Sequence, residues 1–180
     1  MDLVHEAHTS GRVHVIAINN AHQIAPWADV LYACDCTWWD WYYAETETFQ
    51  GLRITRSKRA VDKYPDLTWI EGEAHDQGLS KRQDSIVNGR IGGYQAINLA
   101  VNFGAKKILL IGFDMRVVGG SSHWHGDHPN RQRPMFTKYA AHFRNMIPDL
   151  EERGVKIINC TPESAIDAFP FGNLKNELEY

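Results

Sequence analysis

Gly89-Arg-Ile-Gly-Gly-Tyr-Gln-Ala-Ile-Asn98 and Lys107-Ile-Leu-Leu-Ile-Gly-Phe-Asp-Met115 are the two stretches that decide the predicted fold. The first is typical of a glycine turn that opens a helix, and the second of a buried parallel strand that ends in an aspartate. His123-Trp-His-Gly-Asp-His128 follows and carries groups that move protons or bind metal. A helix start, a strand end and a polar cluster together indicate one edge of an α/β sheet, where such folds bind ligands.

The order of apolar segments predicts the fold class. Strand candidates alternate with helical stretches, and each strand is a continuous apolar run, which is typical of parallel strands covered on both faces. We therefore predict an α/β fold: one three-layer Rossmann-like domain over residues 1–180, with a mainly parallel sheet and a polar tail from about residue 170. The main strand candidates are Val13 to Ile18, Asp29 to Ala33, Lys107 to Gly112 and Val155 to Asn159.

Four further segments between and after these strands have predicted structures. Gly93 to Phe103 has an apolar stripe and is predicted to be a helix, as is Phe136 to Arg153 with a kink at Pro148. Glu71 to Asn88 is polar and without a period, so we predict a loop. Pro162 to Phe169 is predicted to be a short helix because proline suits a first helical turn.

Composition excludes several classes of protein. The net charge of −3 provides no basic field for nucleic acid, and no apolar run approaches the ~20 residues of a membrane helix. The start of the chain lacks the basic and apolar regions of a signal peptide.

Cys34, Cys36 and Cys160 are too few, and odd in number, for a disulfide scaffold, which favours a cytoplasmic location. We expect them to be small buried hydrophobes, with a Cys-x-Cys metal site as the alternative.

The glycine turn before the central helix is a candidate anion site. Gly89, Gly92 and Gly93 precede a helix whose free N–H groups would point above the sheet, and helix N-termini bind phosphate for that reason. Arg90 could add a charge-assisted contact. The chain has no G-x-G-x-x-G directly after a strand and no Walker lysine, so a tight turn without a ligand is the alternative.

Polar side chains follow three of the predicted strands. Asp35 and Asp114 each come after an apolar run, and Asn19 and Asn20 end the first strand in the same way. At the carboxyl edge of a parallel sheet the two carboxylates could hold Mg²⁺ or ribose hydroxyls, and the asparagines could bind a base or a sugar. The alternative is that each residue caps the following helix or turn.

The histidine cluster has three interpretations. His123, His125, Asp127 and His128 match the His-x-His-x-Asp-His signature of metallo-β-lactamase-fold hydrolases, in which such side chains hold two zinc ions. That fold needs further ligands downstream, but only His142 follows, and the order of strands also differs. One histidine acting as general acid or base fits better, because imidazole titrates near neutral pH. A loop of surface histidines is the third interpretation.

An aromatic block runs from Trp38 to Tyr43. Such a block packs well in a core, and we favour that role. Trp38 and Trp39 could also form one wall of a substrate pocket, because an indole stacks on a base or a sugar ring.

Four segments of the chain form a distinctive combination: Asp29-Val-Leu-Tyr-Ala-Cys-Asp-Cys-Thr-Trp-Trp39, Gly92-Gly-Tyr-Gln-Ala-Ile-Asn-Leu-Ala100, Ile111-Gly-Phe-Asp-Met115 and Ser122-His-Trp-His-Gly126. This combination resembles a family of phage and prophage proteins whose function is mostly unassigned, and the resemblance covers nearly the whole chain. The chain is also remotely similar to bacterial family-42 sialyltransferases and archaeal hydroxymethylpterin diphosphokinase-like proteins.

The resemblance implies roles for individual residues. In the wider superfamily the glycine-opened helix borders the nucleotide, which implies donor contacts at Gly92, Gly93 and Tyr94. The asparagine after the first strand would match Asn19 or Asn20. A histidine downstream of the Gly-x-Asp strand end is the sialyltransferase base, which points to either His123 or His125.

One departure from that pattern affects the phosphate cradle. The relatives begin with another strand and a Gly-Pro-Ser-type loop, whereas this chain starts at Met1 in what resembles the following helix. Either this sequence is a truncated piece of the protein, or this version lacks the first strand and half of the phosphate cradle. The exposed sheet position would then need covering, for which we expect a subunit partner in a homo-oligomer.

These observations predict a nucleotide-dependent transferase that takes a sugar or a diphosphate from a nucleotide or nucleotide-sugar donor. Mg²⁺ is the expected ion, held at Asp35 or Asp114. The alternatives are a non-catalytic nucleotide- or metabolite-binding module, a phage structural or assembly protein, and a zinc hydrolase built on the histidine cluster.

Overall fold

A computed structural model describes residues 1–117 and 136–179, apart from the side chain of Thr137. The strands are β1 Ile16–Ile18, β2 Val30–Tyr32, β3 Leu52–Thr55, β4 Thr68–Trp69, β5 Glu71–Glu73, β6 Ser85–Val87, β7 Lys107–Leu110 and β8 Lys156–Asn159. The α-helices are α1 Asp2–Thr9, α2 Cys36–Tyr42, α3 Lys58–Lys63, α4 Gly92–Asn102, α5 Phe136–His142, α6 Ile147–Glu152 and α7 Leu174–Glu179. Short 3₁₀ turns cover Asn19–Gln23, Tyr43–Thr46 and Phe143–Met146.

The strands pair in parallel, which confirms the predicted α/β class. One sheet has the order β1-β2-β3-β4, with Ile16 opposite Val30 and Val30 opposite Leu52. Two further parallel pairs join β5 to β6 and β7 to β8. Within each sheet the carboxyl ends therefore meet at one edge, where ligands bind in open α/β sheets.

Strand β2 shows why its sequence is apolar at every position. Leu31 packs in a core cluster with Trp39 and Leu67, whereas Val30 and Tyr32 pack in another cluster that includes residues of α4. Because neighbouring side chains of a strand point to opposite faces, both faces of β2 are buried.

Helix α4 packs against strands of two different sheets. It contacts both β1 and β6, and its residues from Tyr94 to Leu99 are buried. Burial of Ile97 and Leu99 contributes about 1.5–3 kcal/mol each. Gly104 (φ +90°) ends the helix as predicted, because glycine adopts a left-handed conformation without a Cβ penalty.

Two predicted elements differ in the structure. The segment Glu71 to Asn88, predicted to be a loop, contains β5 and β6. Strand β5 is the polar Glu71-Gly-Glu73, and β6 adds only two apolar residues, Ile86 and Val87, so neither has the apolar run of a buried strand. Pro162 to Phe169 forms no helix, because hydrogen bonds to other segments hold its backbone: Ala165 N donates to Asp114 O, and Asn159 Nδ2 donates to Ile166 O.

The described segment from Phe136 onward also differs in detail from the prediction. The predicted helix Phe136 to Arg153 is broken by the 3₁₀ turn Phe143–Met146, and Pro148 lies in the first turn of α6, where it disturbs no helical hydrogen bond. The polar tail contains α7, whose Leu178 is buried against Val4 of α1. No helix in the described ranges is long and apolar enough to cross a membrane.

Candidate anion site at the carboxyl ends of the strands

The amino end of α4 is open. Ile91 occupies the N-cap position, and no side chain caps the helix there. The first turn contains Gly92, Gly93 and Tyr94, whose N–H groups have no acceptor inside the helix, and Gln95 is the first to donate back, to Ile91 O at 3.2 Å. An anion is the natural partner for such N–H groups.

The two glycines of this turn have different surroundings. A Cβ on Gly93 would lie 2.7 Å from ring carbon Cε1 of Phe113, so close packing explains why position 93 is glycine. A Cβ on Gly92 would meet Ile18 Cγ2 at 3.4 Å, an ordinary contact distance. The smallness of Gly93 therefore serves the core, and Gly92 is the position where a side chain can be added.

The turn that leads into α4 is left-handed at Gly89 (φ +50°) and Arg90 (φ +66°). The side chain of Arg90 does not point to a free anion position, because its Nε donates to Asp76 Oδ2 at 2.5 Å. The Tyr94 hydroxyl donates to Gly78 O at 2.8 Å, and its ring is fully buried. Burial, with a smaller effect of Asp149, raises the pKa of Tyr94 well above its usual range. Only the backbone of Tyr94 is available at the helix start.

Arg56 brings a cation to this edge. It directly follows β3, its side chain is half-buried, and its Nη1 donates to Asn88 Oδ1, beyond the end of β6. Gln95 of α4 donates to Asn88 O at 2.6 Å, and its own Oε1 accepts from the Tyr32 hydroxyl at 2.8 Å. One hydrogen-bonded network therefore joins the ends of β2, β3 and β6 to the first turns of α4.

This network is not predicted from the sequence. Arg56 lies in the basic stretch Arg53 to Lys63, which is typical of a solvated helix face, yet it directly follows the short run Leu52 to Thr55, which could form a strand. The rule that polar residues after parallel strands gather at one edge predicts Arg56 and Asn88 equally well. Gln95 carries no such signal, because a buried glutamine in an apolar stripe is visible only once its partners are known.

Asp35 has a carboxylate that local structure does not use as a cap. It occupies the N-cap position of α2, but its side chain makes no cap hydrogen bond. It is exposed and accepts from Cys34 Sγ at 3.2 Å. Burial raises the pKa of the Cys34 thiol well above its usual range, Asp35 adds to that rise, and Arg56 opposes it. The charges of Asp35 and Arg56 therefore act in opposite directions on the pKa of the Cys34 thiol.

Asn20, Trp38 and Trp39 make hydrogen bonds in the protein interior. Asn20 is buried, and its Oδ1 accepts from Trp38 Nε1 at 2.9 Å, whereas Trp39 Nε1 donates to Ala33 O at 3.1 Å. Both indoles are buried, as expected of core residues. Asn19 has a left-handed backbone (φ +51°), and its side chain is half-buried at the end of β1.

Asp114 follows β7 on a different strand pair. Its carbonyl accepts from Ala165 N at 2.8 Å, and the neighbouring Phe113 N donates to Thr161 Oγ1 at 3.0 Å. The loop after β7 is thus anchored to the loop after β8. No hydrogen bond in the described residues joins Asp114 to Asp35.

The predicted proton-transfer and zinc cluster lies outside the described residues. His123, His125, Asp127 and His128 all belong to the range 118–135. In the described ranges, no group of three or more histidine, cysteine, aspartate or glutamate side chains is arranged to hold a metal ion. All three cysteines are free, and Cys36 and Cys160 are buried.

Comparison of the chain with protein-family models, curated proteins and solved structures gave no match. The function is therefore argued from the side chains and backbone groups of the described site.

Proposed function

We propose that this protein is a nucleotide-dependent transferase whose donor phosphates bind between Arg56 and the first turn of α4. The observation that carries the proposal is the half-buried guanidinium of Arg56, fixed by Asn88, on the network that reaches the uncapped start of α4. Guanidinium groups and helix N-termini are both preferred partners of phosphate oxygens.

The network makes Arg56 a suitable phosphate ligand. Its Nη1 is engaged with a neutral amide oxygen rather than a carboxylate, so the positive charge is oriented without being neutralised at that contact. The charge-assisted hydrogen bonds that a guanidinium makes with phosphate are roughly twice as strong as neutral ones. Asn88 and Gln95 act as positioning residues for this cation.

The remaining groups complete the proposed reaction. Asp35 does not cap α2 and would orient the donor or hold Mg²⁺. Asp114 would have the same role in a three-layer Rossmann-like arrangement that brings the end of β7 to the same edge. Either His123 or His125 would handle the proton of the acceptor. The transferred group is a sugar or a diphosphate.

A binding module without turnover is the second candidate. The described groups at the edge are suited to bind a ligand or to position another group, and none of them is proposed to transfer a proton. The histidines proposed for that step lie in another segment of the chain. A phage assembly protein would bind no nucleotide, and a zinc hydrolase would respond to zinc alone.

The first test is a thermal-shift screen against CMP, UDP, GDP, ADP and ATP, each with and without Mg²⁺ and Zn²⁺. A ligand that binds only the folded protein raises the melting temperature by mass action. We expect one nucleotide to do so, and Arg56→Gln and Gly92→Asp to abolish the shift. Arg59→Gln is the matched control, because Arg59 is 80% exposed on the neighbouring α3.

The variant Gly92→Asp separates binding from folding. It places a carboxylate where the phosphate would bind, at a position with room for a Cβ, and an acidic residue stabilises a first helical turn by about 0.3–1 kcal/mol. A nucleotide shift that persists in both site variants contradicts the proposal. Product formation from the bound donor, monitored by chromatography with candidate acceptors, distinguishes a transferase from a binding module.

A further inference from the structure

A cavity of about 300 Å³ lies beside the first 3₁₀ turn, away from the Arg56 network. It is lined by His22, Gln23, Pro26, Glu45, Thr48 and Phe49. His22 is only 5% exposed, and its Nε2 is buried without a hydrogen-bond partner. An unpartnered buried nitrogen is costly in a folded protein, which indicates that something else occupies its hydrogen-bonding position.

The other ring nitrogen defines the chemistry of His22. Nδ1 lies 2.9 Å from the carbonyl oxygen of Asn19. Because a carbonyl oxygen only accepts, Nδ1 carries the proton, and in the neutral ring Nε2 presents a lone pair. The His22 ring also packs edge-on against Trp38, with centroids 5.7 Å apart, which holds its orientation.

Glu45 faces that lone pair. Its Oε2 lies 3.9 Å from His22 Nε2 and accepts a hydrogen bond from Gln23 Nε2 at 3.0 Å. A lone pair and a carboxylate at this distance repel each other unless a cation or a donor lies between them. The carboxylate is half-exposed, so the gap between the two acceptors is open to solvent on one side.

We propose that His22 and Glu45 hold a divalent transition-metal ion of the zinc class. Zinc binds imidazole nitrogen at about 2.0–2.1 Å and carboxylate oxygen at about 2.0–2.2 Å, so two ligand atoms on one tetrahedral ion lie about 3.4 Å apart. The observed separation of 3.9 Å is slightly longer, and a small rotation of the half-exposed Glu45 side chain closes the difference. An imidazole ligand selects zinc, cobalt or nickel over magnesium.

The surroundings of both ligands are those of a metal site. A ligating histidine donates its second N–H to a carbonyl or carboxylate, as His22 does to Asn19, and a ligating carboxylate is itself hydrogen-bonded, as Glu45 is by Gln23. No third histidine, cysteine, aspartate or glutamate completes the set among the described residues. The ion keeps open positions for water or for a small ligand in the cavity.

The test is calorimetric titration of Zn²⁺ into chelator-treated protein without a histidine tag. We expect one saturable site that is weakened at least tenfold in His22→Gln and in Glu45→Gln. Glu47→Gln is the matched control, because Glu47 is exposed, directly follows the 3₁₀ turn that contains Glu45 and does not line the cavity. A variant with alanine at His123, His125 and His128 is titrated in parallel, so that zinc on that cluster is recognised.

A second readout locates the ion. Paramagnetic Co²⁺ at His22 should broaden the indole N–H signal of Trp38, assigned with Trp38→Phe, more than the signals of the other tryptophans. If circular dichroism shows that His22→Gln does not fold, the zinc affinity of Glu45→Gln and the Co²⁺ broadening at Trp38 test the site instead. Zinc affinity that is unchanged in Glu45→Gln, or absent from the variant lacking the three downstream histidines, overturns the proposal.

Discussion

Arg56 donates to the side-chain oxygen of Asn88, and this hydrogen bond joins the residue after β3 to the residue after β6. Two strands of different sheets are thereby connected at their carboxyl ends, beside the helix that begins at Gly92. The bond orients a cation where the fold has open backbone N–H groups, and it is the structural basis of the proposed phosphate site.

The buried end of this network predicts a cost for Tyr32→Phe. The Tyr32 hydroxyl donates to Gln95 Oε1 in a fully buried position, so its removal leaves a buried acceptor without a donor. We expect a loss of about 1–3 kcal/mol in the free energy of unfolding, measured by urea denaturation. Tyr64→Phe, which removes an exposed hydroxyl that donates to Asp40 Oδ1 at 3.0 Å, is the comparison. An equal loss in both variants would show that the network contributes nothing specific.

The two glycines at the start of α4 predict different effects of an alanine substitution on stability. Gly93→Ala places a Cβ 2.7 Å from the Phe113 ring and should destabilise the protein by about 1–3 kcal/mol, whereas Gly92→Ala meets only an ordinary contact and should be nearly neutral. Urea denaturation of both variants measures the difference. Phe113→Leu should recover part of the loss in Gly93→Ala but gain nothing with Gly92→Ala, and equal stability of the two alanine variants contradicts the packing.

Glu73 predicts a pH dependence of stability. Hydrogen bonds from Ser80 and Ser85, and then from His75, lower the pKa of Glu73 below its ordinary value of 4.5, although burial opposes them. A carboxylate with a lowered folded-state pKa stabilises the fold above the unfolded value, and that contribution is lost as the pH falls through the folded value.

The measurement for Glu73 is the urea midpoint at pH 7 and at successive values below pH 4.5. We expect Glu73→Gln to be less stable than wild type at pH 7, with the difference shrinking as the medium becomes more acidic. Glu152→Gln, at an exposed position, serves as the control. A difference that stays constant with pH would show that the charge of Glu73 is irrelevant.

Helix α7 predicts that the end of the chain contributes to stability. Leu178 is buried against Val4 and Ala7 of α1, so Leu178→Ala should cost about 2–5 kcal/mol. Lys175→Ala, on an exposed position of the same helix, should have little effect. Thermal denaturation of the two variants is sufficient, and similar melting temperatures would contradict the packing of α7 on α1.

The sequence was sufficient to predict the parts of the fold that have strong local signals. Strands β2 and β7 lie in runs of consecutive apolar residues, and α4 has an apolar stripe at helical spacing. Such patterns predict an element without knowledge of the elements that pack against it. Strands β5 and β6 were not predicted because Glu71-Gly-Glu73 is polar, and Ile86 and Val87 are only two apolar residues in an otherwise polar segment. Their pairing depends on backbone hydrogen bonds that side-chain patterns do not report.

The candidate site was predictable only in part, for the same reason. Asp35 and the start of α4 follow from strand ends and glycine placement, which are local signals. Arg56, Asn88 and Gln95 meet from three distant parts of the chain, so their relationship needs the tertiary fold. The orphaned Nε2 of His22 is likewise visible only once its surroundings are known. The transferase activity and the roles of the histidines remain predictions.

The most direct test of the central claim is a calorimetric titration with the nucleotide found in the screen and, separately, with its nucleoside. We expect Arg56→Gln to weaken nucleotide binding about 10–150-fold, because it removes a charge-assisted hydrogen bond of about 1.5–3 kcal/mol, and to leave nucleoside affinity unchanged. Equal nucleotide affinity in wild type and Arg56→Gln would contradict a phosphate site at the carboxyl ends of the strands.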